Sequence, residues 1–349
     1  MKILVTGGAG FVGSHAAEYY ANKGDEVIVF DNLSRAELLG YEISNAMYNW
    51  NCLKRYEKIE LVKGDIRDAE MIKDAAKGVD VIIHTAAQTA VTTSLEDPRT
   101  DFEINAIGTF NVLEAARSSK NNPCVIFCST NKVYGDNVNK IAVVEREKRY
   151  EFADEKYKKG IPEDFPTDLC EHTPYGASKF AADVYVQDYA ERGEIDAAVF
   201  RMSCIYGTRQ FGVEDQGWVA WFTIATLLNK PITIFGDGEQ VRDVLYISDL
   251  VKAFDAFVQK RDSIRHGVYN IGGGIENTLS LLELLDILEK QTGIKNNIKY
   301  DSWRLSDQKI YVSDISNVQN QLRWKPNITV EEGINKLVSW VQENKKLFR

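Results

Sequence analysis

The sequence is poor in the residues that build metal centres and disulfide frameworks. Its five cysteines, Cys52, Cys124, Cys128, Cys170 and Cys204, are odd in number and form no C-x-x-C pair, and it has four histidines. Without clustered His and Cys no metal site is expected, and the thiols read as free groups of a reducing compartment, the cytoplasm. The chain also lacks any run near the ~20 apolar residues of a membrane span. The apolar stretch from Ile3 to Val5 is too short for the core of a signal peptide. Positive charge is not in excess: 42 Lys+Arg against 51 Asp+Glu leave a net charge of −9. That balance disfavours nucleic acid and anionic membrane as partners, although the local field of a site can oppose it and hold an anionic ligand.

What is present is an ordinary globular composition, 44% apolar and 27% charged over 349 residues. That length allows a large core and more than one compact lobe. Short apolar runs alternate with helical patterns. Strands are predicted over Lys2–Thr6, Val27–Phe30, Ile59–Lys63, Val79–His84, Cys124–Cys128 and Ala197–Arg201, with helices over Phe11–Lys23, Phe102–Ser118 and Tyr175–Arg192 among them. Continuous apolar strands separated by helices predict an α/β fold, a Rossmann-type doubly wound parallel sheet. Two polar stretches break the rhythm, residues 33–58 and the highly charged 136–172, the second read as an excursion near the active site. Beyond residue 205 the elements shorten. Residues 1–205 are therefore assigned to a dinucleotide-binding core, and 206–349 mainly to a smaller C-terminal α/β substrate lobe interleaved with it.

The strongest motif is Thr6-Gly7-Gly8-Ala9-Gly10-Phe11-Val12-Gly13. It follows a predicted strand and opens a helix, the context in which a glycine-rich turn brings backbone close to a pyrophosphate at the helix N-terminus. Asp31 ends the second strand, followed by Asn32. A carboxylate there can bind both ribose hydroxyls and repels a 2′-phosphate, which favours NAD over NADP.

The glycine turn with Asp31, the stretch Gly64-Asp65-Ile66-Arg67, Asn105, Ser129-Thr130 and Tyr175-Gly176-Ala177-Ser178-Lys179 resemble the extended short-chain dehydrogenase/reductase (NAD-dependent epimerase/dehydratase) family acting on nucleotide sugars. The resemblance covers nearly the whole chain. It implies NAD held at Gly7, Gly10, Phe11, Val12 and Gly13, with Asp31 and Asn32 at the ribose. It places Asp65 and Ile66 at the adenine end, and Ala86, Ala87, Gln88, Asn105 and Ser129 along the cofactor, with Tyr175 and Lys179 at the reacting end. The stretches Ser129–Gly135, Gln88–Ser94, Arg209–Gly212, Asp215–Trp218 and Arg304–Gln308 are similar, more narrowly, to CDP-tyvelose (CDP-paratose) 2-epimerases. This implies a CDP-sugar substrate and a homodimer joined through the helices at 102–118 and 175–192. One position departs: many sugar-nucleotide epimerases carry an asparagine that meets the substrate phosphates where this chain has Cys204.

Tyr175 and Lys179 are four apart on a predicted helix and share a face. An ammonium beside the phenol is expected to lower its pKa from about 10, so that the phenolate takes a hydroxyl proton while hydride leaves the same carbon. Thr130 is assigned to hydrogen-bond the reacting sugar oxygen, and Gln88 to the substrate as well as the cofactor. Arg242 and Arg304 match diphosphate-binding positions of the family, and arginine's planar fork suits phosphate; Gln216 and Trp218 are expected to shape the sugar or base pocket. Related 4,6-dehydratases carry an Asp-Glu pair where this chain has Asn131-Lys132, which argues against elimination chemistry. Two other readings stay open: another epimerase, such as a UDP-sugar 4-epimerase, and a non-catalytic NAD-binding module. The intact Thr130, Tyr175 and Lys179 argue against the last.

Overall fold

The structure, a computed structural model, describes residues 1–35 and 43–348. The polar stretch at 33–58 thus lies partly outside the described residues. Among the described ones, seven strands form one sheet: β1 Lys2–Thr6, β2 Glu26–Asp31, β3 Ile59–Lys63, β4 Val81–His84, β5 Cys124–Thr130, β8 Ala197–Met202 and β12 His266–Ile271. Their order is β12-β8-β5-β4-β1-β2-β3. This is the doubly wound α/β sheet that the alternation predicts. The chain runs outward from β1 to β3, then returns to place β4 beside β1, with Thr6 opposite His84 in a parallel register. Where strand order reverses, the carboxyl ends of neighbouring strands part and leave a crevice for a ligand. Every residue of β4 and β5 is buried, which is why these runs carry no polar alternation.

The segment predicted as one helix over Phe102–Ser118 is more finely divided. A short helix Pro98–Phe102, capped by the Asp97 carboxylate, runs into a π-helical turn at Glu103–Ile107 and then a helix Gly108–Ser118. Gly108 permits this path, because a Cβ there would lie 2.5 Å from Cδ1 of Ile66. A helix at Ile43–Leu53 occupies part of the polar stretch at 33–58.

The chain divides into two compact units, each assembled from separated segments. The first comprises residues 1–133, 173–201 and 251–269; the second comprises 134–172, 202–250 and 270–349. Residues 134–172, numbered inside the core, therefore group with the second unit, and 251–269 with the first. Leu4, Ile82, Val125 and Phe127 from the sheet pack with Val112 and Val186 from its helices to form the first unit's core. In the second unit, β11 Val241–Tyr246 pairs with β9 Cys204–Tyr206, β13 Thr278–Ser280 and β15 Ile310–Tyr311. That unit also holds a two-stranded sheet, β10 Ile232–Phe235 with β14 Ile298–Asp301, and a hairpin of β6 Val143–Glu145 with β7 Tyr150–Phe152.

Candidate active site

The glycine turn follows β1 in the first unit. Gly7 has φ +67, and a Cβ on it would lie 2.6 Å from the backbone of Ala86. A Cβ on Gly13 would lie 2.4 Å from the carbonyl oxygen of Gly7. The turn thus packs backbone-to-backbone on the loop after β4, where Ala86 and Ala87 sit. Gly10 caps the helix Phe11–Asn22 with no side-chain acceptor, so Phe11, Val12 and Gly13 present the open end of a helix.

Asp31 ends β2 and accepts from the N–H of Ala9 at 2.9 Å and of Leu33 at 2.7 Å. Burial raises its pKa, and these two backbone bonds oppose the rise. Asn32 donates through Nδ2 to Asp65 at 3.0 Å. Hydrogen bonds from Arg67 are the main reason Asp65 titrates near 2. Ile66 is buried and packs on Gly108. A cradle of backbone that side chains would fill, an open helix N-terminus and a carboxylate at the end of β2 fit a dinucleotide without a 2′-phosphate.

Tyr175 and Lys179 lie on the helix Thr173–Glu191 and Thr130 at the end of β5, all in the first unit. The Tyr175 and Thr130 hydroxyls are hydrogen-bonded. The Lys179 Nζ donates to the Cys128 carbonyl at 2.6 Å and sits 4.2 Å from the centroid of Phe127. Burial lowers its pKa to about 8. The expectation that Lys179 pulls the tyrosine down is corrected: burial pushes Tyr175 up to about 12, against the hydrogen bond from Thr130, which lowers it. The reason is geometric. The ammonium is held by a carbonyl and a ring, so burial of the phenol, not the lysine, sets the direction.

Ser129, Gln88 and Asn105 turn inward. The Ser129 Oγ donates to Asp183 at 2.6 Å, and Asp183 pairs with Arg201 at 3.0 Å. The Gln88 backbone N–H donates to Asn105 Oδ1 at 2.9 Å, and its side-chain amide donates to Asp101 at 3.0 Å. Asn105 also donates to Asp101 at 3.0 Å and to Ser178 at 3.1 Å. Sequence reasoning did not single out Asp101, Ser178 or Asp183. The visible signal was an acid and an amide four apart, Asp101 and Asn105, which share a face of the helical pattern.

The expected substrate residues of the second unit lie on its strands and loops. Arg242, in β11, donates to Asp307 at 2.7 Å. Arg304 donates to Asp215 at 2.8 Å, with its guanidinium 3.9 Å from the centroid of Phe235. Trp218 opens the helix Trp218–Leu227, and its indole N–H reaches the sulfur of Cys204 at 3.4 Å. Gln216 exchanges backbone bonds with Val213 at 2.9 and 3.0 Å.

The sheet order and the glycine turn define a Rossmann enzyme that works with a dinucleotide. Residues 3–272 match the NAD dependent epimerase/dehydratase family, and the chain belongs to it. Its cofactor is NAD. It is 42% identical over 347 residues to the CDP-paratose 2-epimerase of Salmonella typhi, an alignment covering 97% of this chain and 99% of that one. The UDP-glucose 4-epimerase of Thermotoga maritima, solved with UDP-glucose, matches it with a TM-score of 0.80 at 29% identity, over 99% of this chain and 100% of that one. The UDP-glucuronic acid 4-epimerase of Bacillus cereus, solved with UDP-glucuronic acid and NAD, matches with a TM-score of 0.79 at 26% identity, over 99% and 100%.

Proposed function

We propose that this chain is a nucleotide-sugar epimerase that interconverts CDP-paratose and CDP-tyvelose by inverting C2 through a transient 2-keto sugar. The observation that carries this reading is the 42% identity with the Salmonella typhi protein over nearly the full length of both chains. The chemistry of such a sugar narrows the route. A 3,6-dideoxyhexose has no C3 hydroxyl, so no C3 ketone can form to acidify C2–H. A C4 ketone would acidify C3 and C5 only. Oxidation at C2 itself remains.

The chemistry that bound NAD would supply is reversible hydride acceptance at C2, with return to the other face of the sugar. Gly7, Gly10 and Gly13 would hold the NAD pyrophosphate, Asp31 with Asn32 its ribose, and Asp65 and Ile66 its adenine. Tyr175, in its ionised form, takes the C2 hydroxyl proton, and Thr130, already bonded to the phenol, shares the sugar oxygen. Lys179 holds positive charge beside the reacting end. Arg242 and Arg304 anchor the diphosphate while the keto sugar turns, each shifting from its present carboxylate partner, Asp307 or Asp215, to phosphate. Gln216 and Trp218 shape the pocket. The inward-facing side chains of Gln88, Asn105 and Ser129 serve by fixing the backbone along the cofactor.

The enzyme acts in the cytoplasm, in keeping with cysteines that form no disulfide among the described residues. No helix among the described residues is long and apolar enough to cross a membrane. It works as a homodimer, a reading supported by the exposed Phe102, Ile107, Phe110, Val184 and Tyr185 along the helices at 102–118 and 175–192. Sedimentation at twice the chain mass is the expected result.

The functional test is a CDP-sugar deuterated at C2, run to equilibrium in ordinary water. The epimer should keep its deuterium at C2. Washout of the label would mean deprotonation at carbon and overturn the mechanism. Inversion at C4 of a UDP-sugar, with the CDP-sugars untouched, would favour the second reading, a UDP-sugar 4-epimerase, which the solved relatives support.

A further inference from the structure

Behind the loop after β4 lies a closed polar cluster whose central carboxylate the mechanism does not use. Asp101 is fully buried. One carboxylate oxygen accepts from the Gln88 amide and from Asn105, both at 3.0 Å. The other accepts from the Ser178 hydroxyl. Gln88 belongs to the loop that carries Ala86 and Ala87, and Ser178 precedes Lys179 on the helix that carries Tyr175. A single carboxylate therefore joins the cofactor loop to the acid–base helix. It does so beside a π-helical turn, an irregularity that recurs at functional sites.

We propose that Asp101 is a positioning residue of the reaction: its carboxylate fixes the cofactor loop against the helix of Tyr175 and Lys179, and its negative charge sets the pH range in which that pair works. The proposal rests on the reading of Tyr175 and Lys179 as the acid–base pair. The charges around the pair narrow the choice. Lys179 acts electrostatically with Cys128, Asp183, Asp101 and His84, and Tyr175 with Asp101 and Cys128. Burial holds Cys128 up at about 12 and His84 down at about 3, so neither is charged at neutral pH. Asp183 is matched by Arg201. Among the described residues no salt bridge engages Asp101, and the other acid acting on it is Asp97. Its own pKa is raised by burial and held down first by Ser178, then by Lys179 and Gln88. As an anion it favours the charged lysine and opposes the charged tyrosine, so it raises both of their pKa values.

D101N tests this without emptying the cluster. The amide oxygen can still accept from Gln88 and Asn105, and its nitrogen can donate to Ser178, which is free to turn its own proton to the Tyr175 carbonyl at 3.1 Å. The holoenzyme should melt near the wild type and lose about 10-fold in kcat with KM little changed. Both limbs of its pH–rate profile should move toward acid by about half a unit or more, the reach of a buried unit charge. S178A keeps the charge and cuts the link to the helix; it should lower kcat with both limbs in place. A D101N enzyme with wild-type limbs would overturn the electrostatic role. Should D101N not fold, wild-type kcat in S178A would overturn the proposal on its own. Y175F is run in parallel. If it turns over normally, the acid–base reading itself fails; if it is inactive while D101N keeps its limbs, this inference alone fails.

Discussion

Replacing Asp183 with alanine probes a deeply buried ion pair that supports the site. The Asp183 side chain is 0% exposed and that of Arg201 6%, with Nε to Oδ2 at 3.0 Å. Asp183 also accepts from Ser129 at 2.6 Å and from Gln187 at 2.5 Å. D183A leaves the Arg201 charge buried without this carboxylate and removes the acceptor for Ser129. Breaking a buried pair on one side costs about 3–5 kcal/mol. At about 2–4 °C per kcal/mol for a unit of roughly 150–250 residues, the melting temperature should fall by about 6–20 °C. The surface pair Arg192–Asp188, with side chains 52% and 56% exposed, supplies the control. D188A should stay within about 1 kcal/mol of the wild type. The double variant D183L/R201M should recover most of the loss, because two apolar groups of similar size leave no buried charge. The assay is urea unfolding followed by tryptophan fluorescence, with calorimetry alongside. A D183A enzyme no less stable than D188A would refute the reasoning.

Three further outcomes follow from the site. D31A should bind NAD about 10-fold more weakly and narrow the preference over NADP, since one carboxylate fixes Ala9 and Leu33 and repels a 2′-phosphate; titration calorimetry finding equal affinities in the wild type would contradict this. G13A should lose NAD from the purified protein, because its methyl group would lie 2.4 Å from the Gly7 carbonyl oxygen; full occupancy by absorbance would show that the turn yields. Lys179, brought to about 8 by burial, loses its charge as pH rises through that value, so the rise of wild-type turnover that comes with ionising Tyr175 should level off there. K179R, charged throughout, should keep rising above that pH, and a plateau that persists would assign it to another group.

Six of the seven strands of the main sheet are legible in the sequence because β1 to β5 and β8 are short apolar runs closed by glycine or polar residues. The seventh, β12, is not: His-Gly-Val-Tyr-Asn-Ile has little apolar pattern, as suits a strand at the sheet edge with partners on one side only. The glycine turn is legible because its spacing encodes a local geometry. The cluster of Gln88, Asp101, Asn105 and Ser178 is not, because Ser178 is 73 residues from Asn105 and only the fold brings them together. The tyrosine's acidity was misjudged for a related reason. Spacing on a helix gives neighbourhood, but burial and the actual partner of an ammonium depend on tertiary structure.

The edge strand has a consequence for how the molecule is made. The β8 strand leaves the ribosome well before β12, and between them come residues 203–265, much of that stretch belonging to the second unit. At roughly 5–20 residues per second, β8 waits about 3–13 s with one row of backbone N–H and C=O groups unpaired. An open strand edge is a template for pairing with another chain. Neither unit can be obtained by cutting the sequence once, and a nascent chain stopped at residue 205 would hold the whole glycine turn and acid–base helix on a sheet still open at one side.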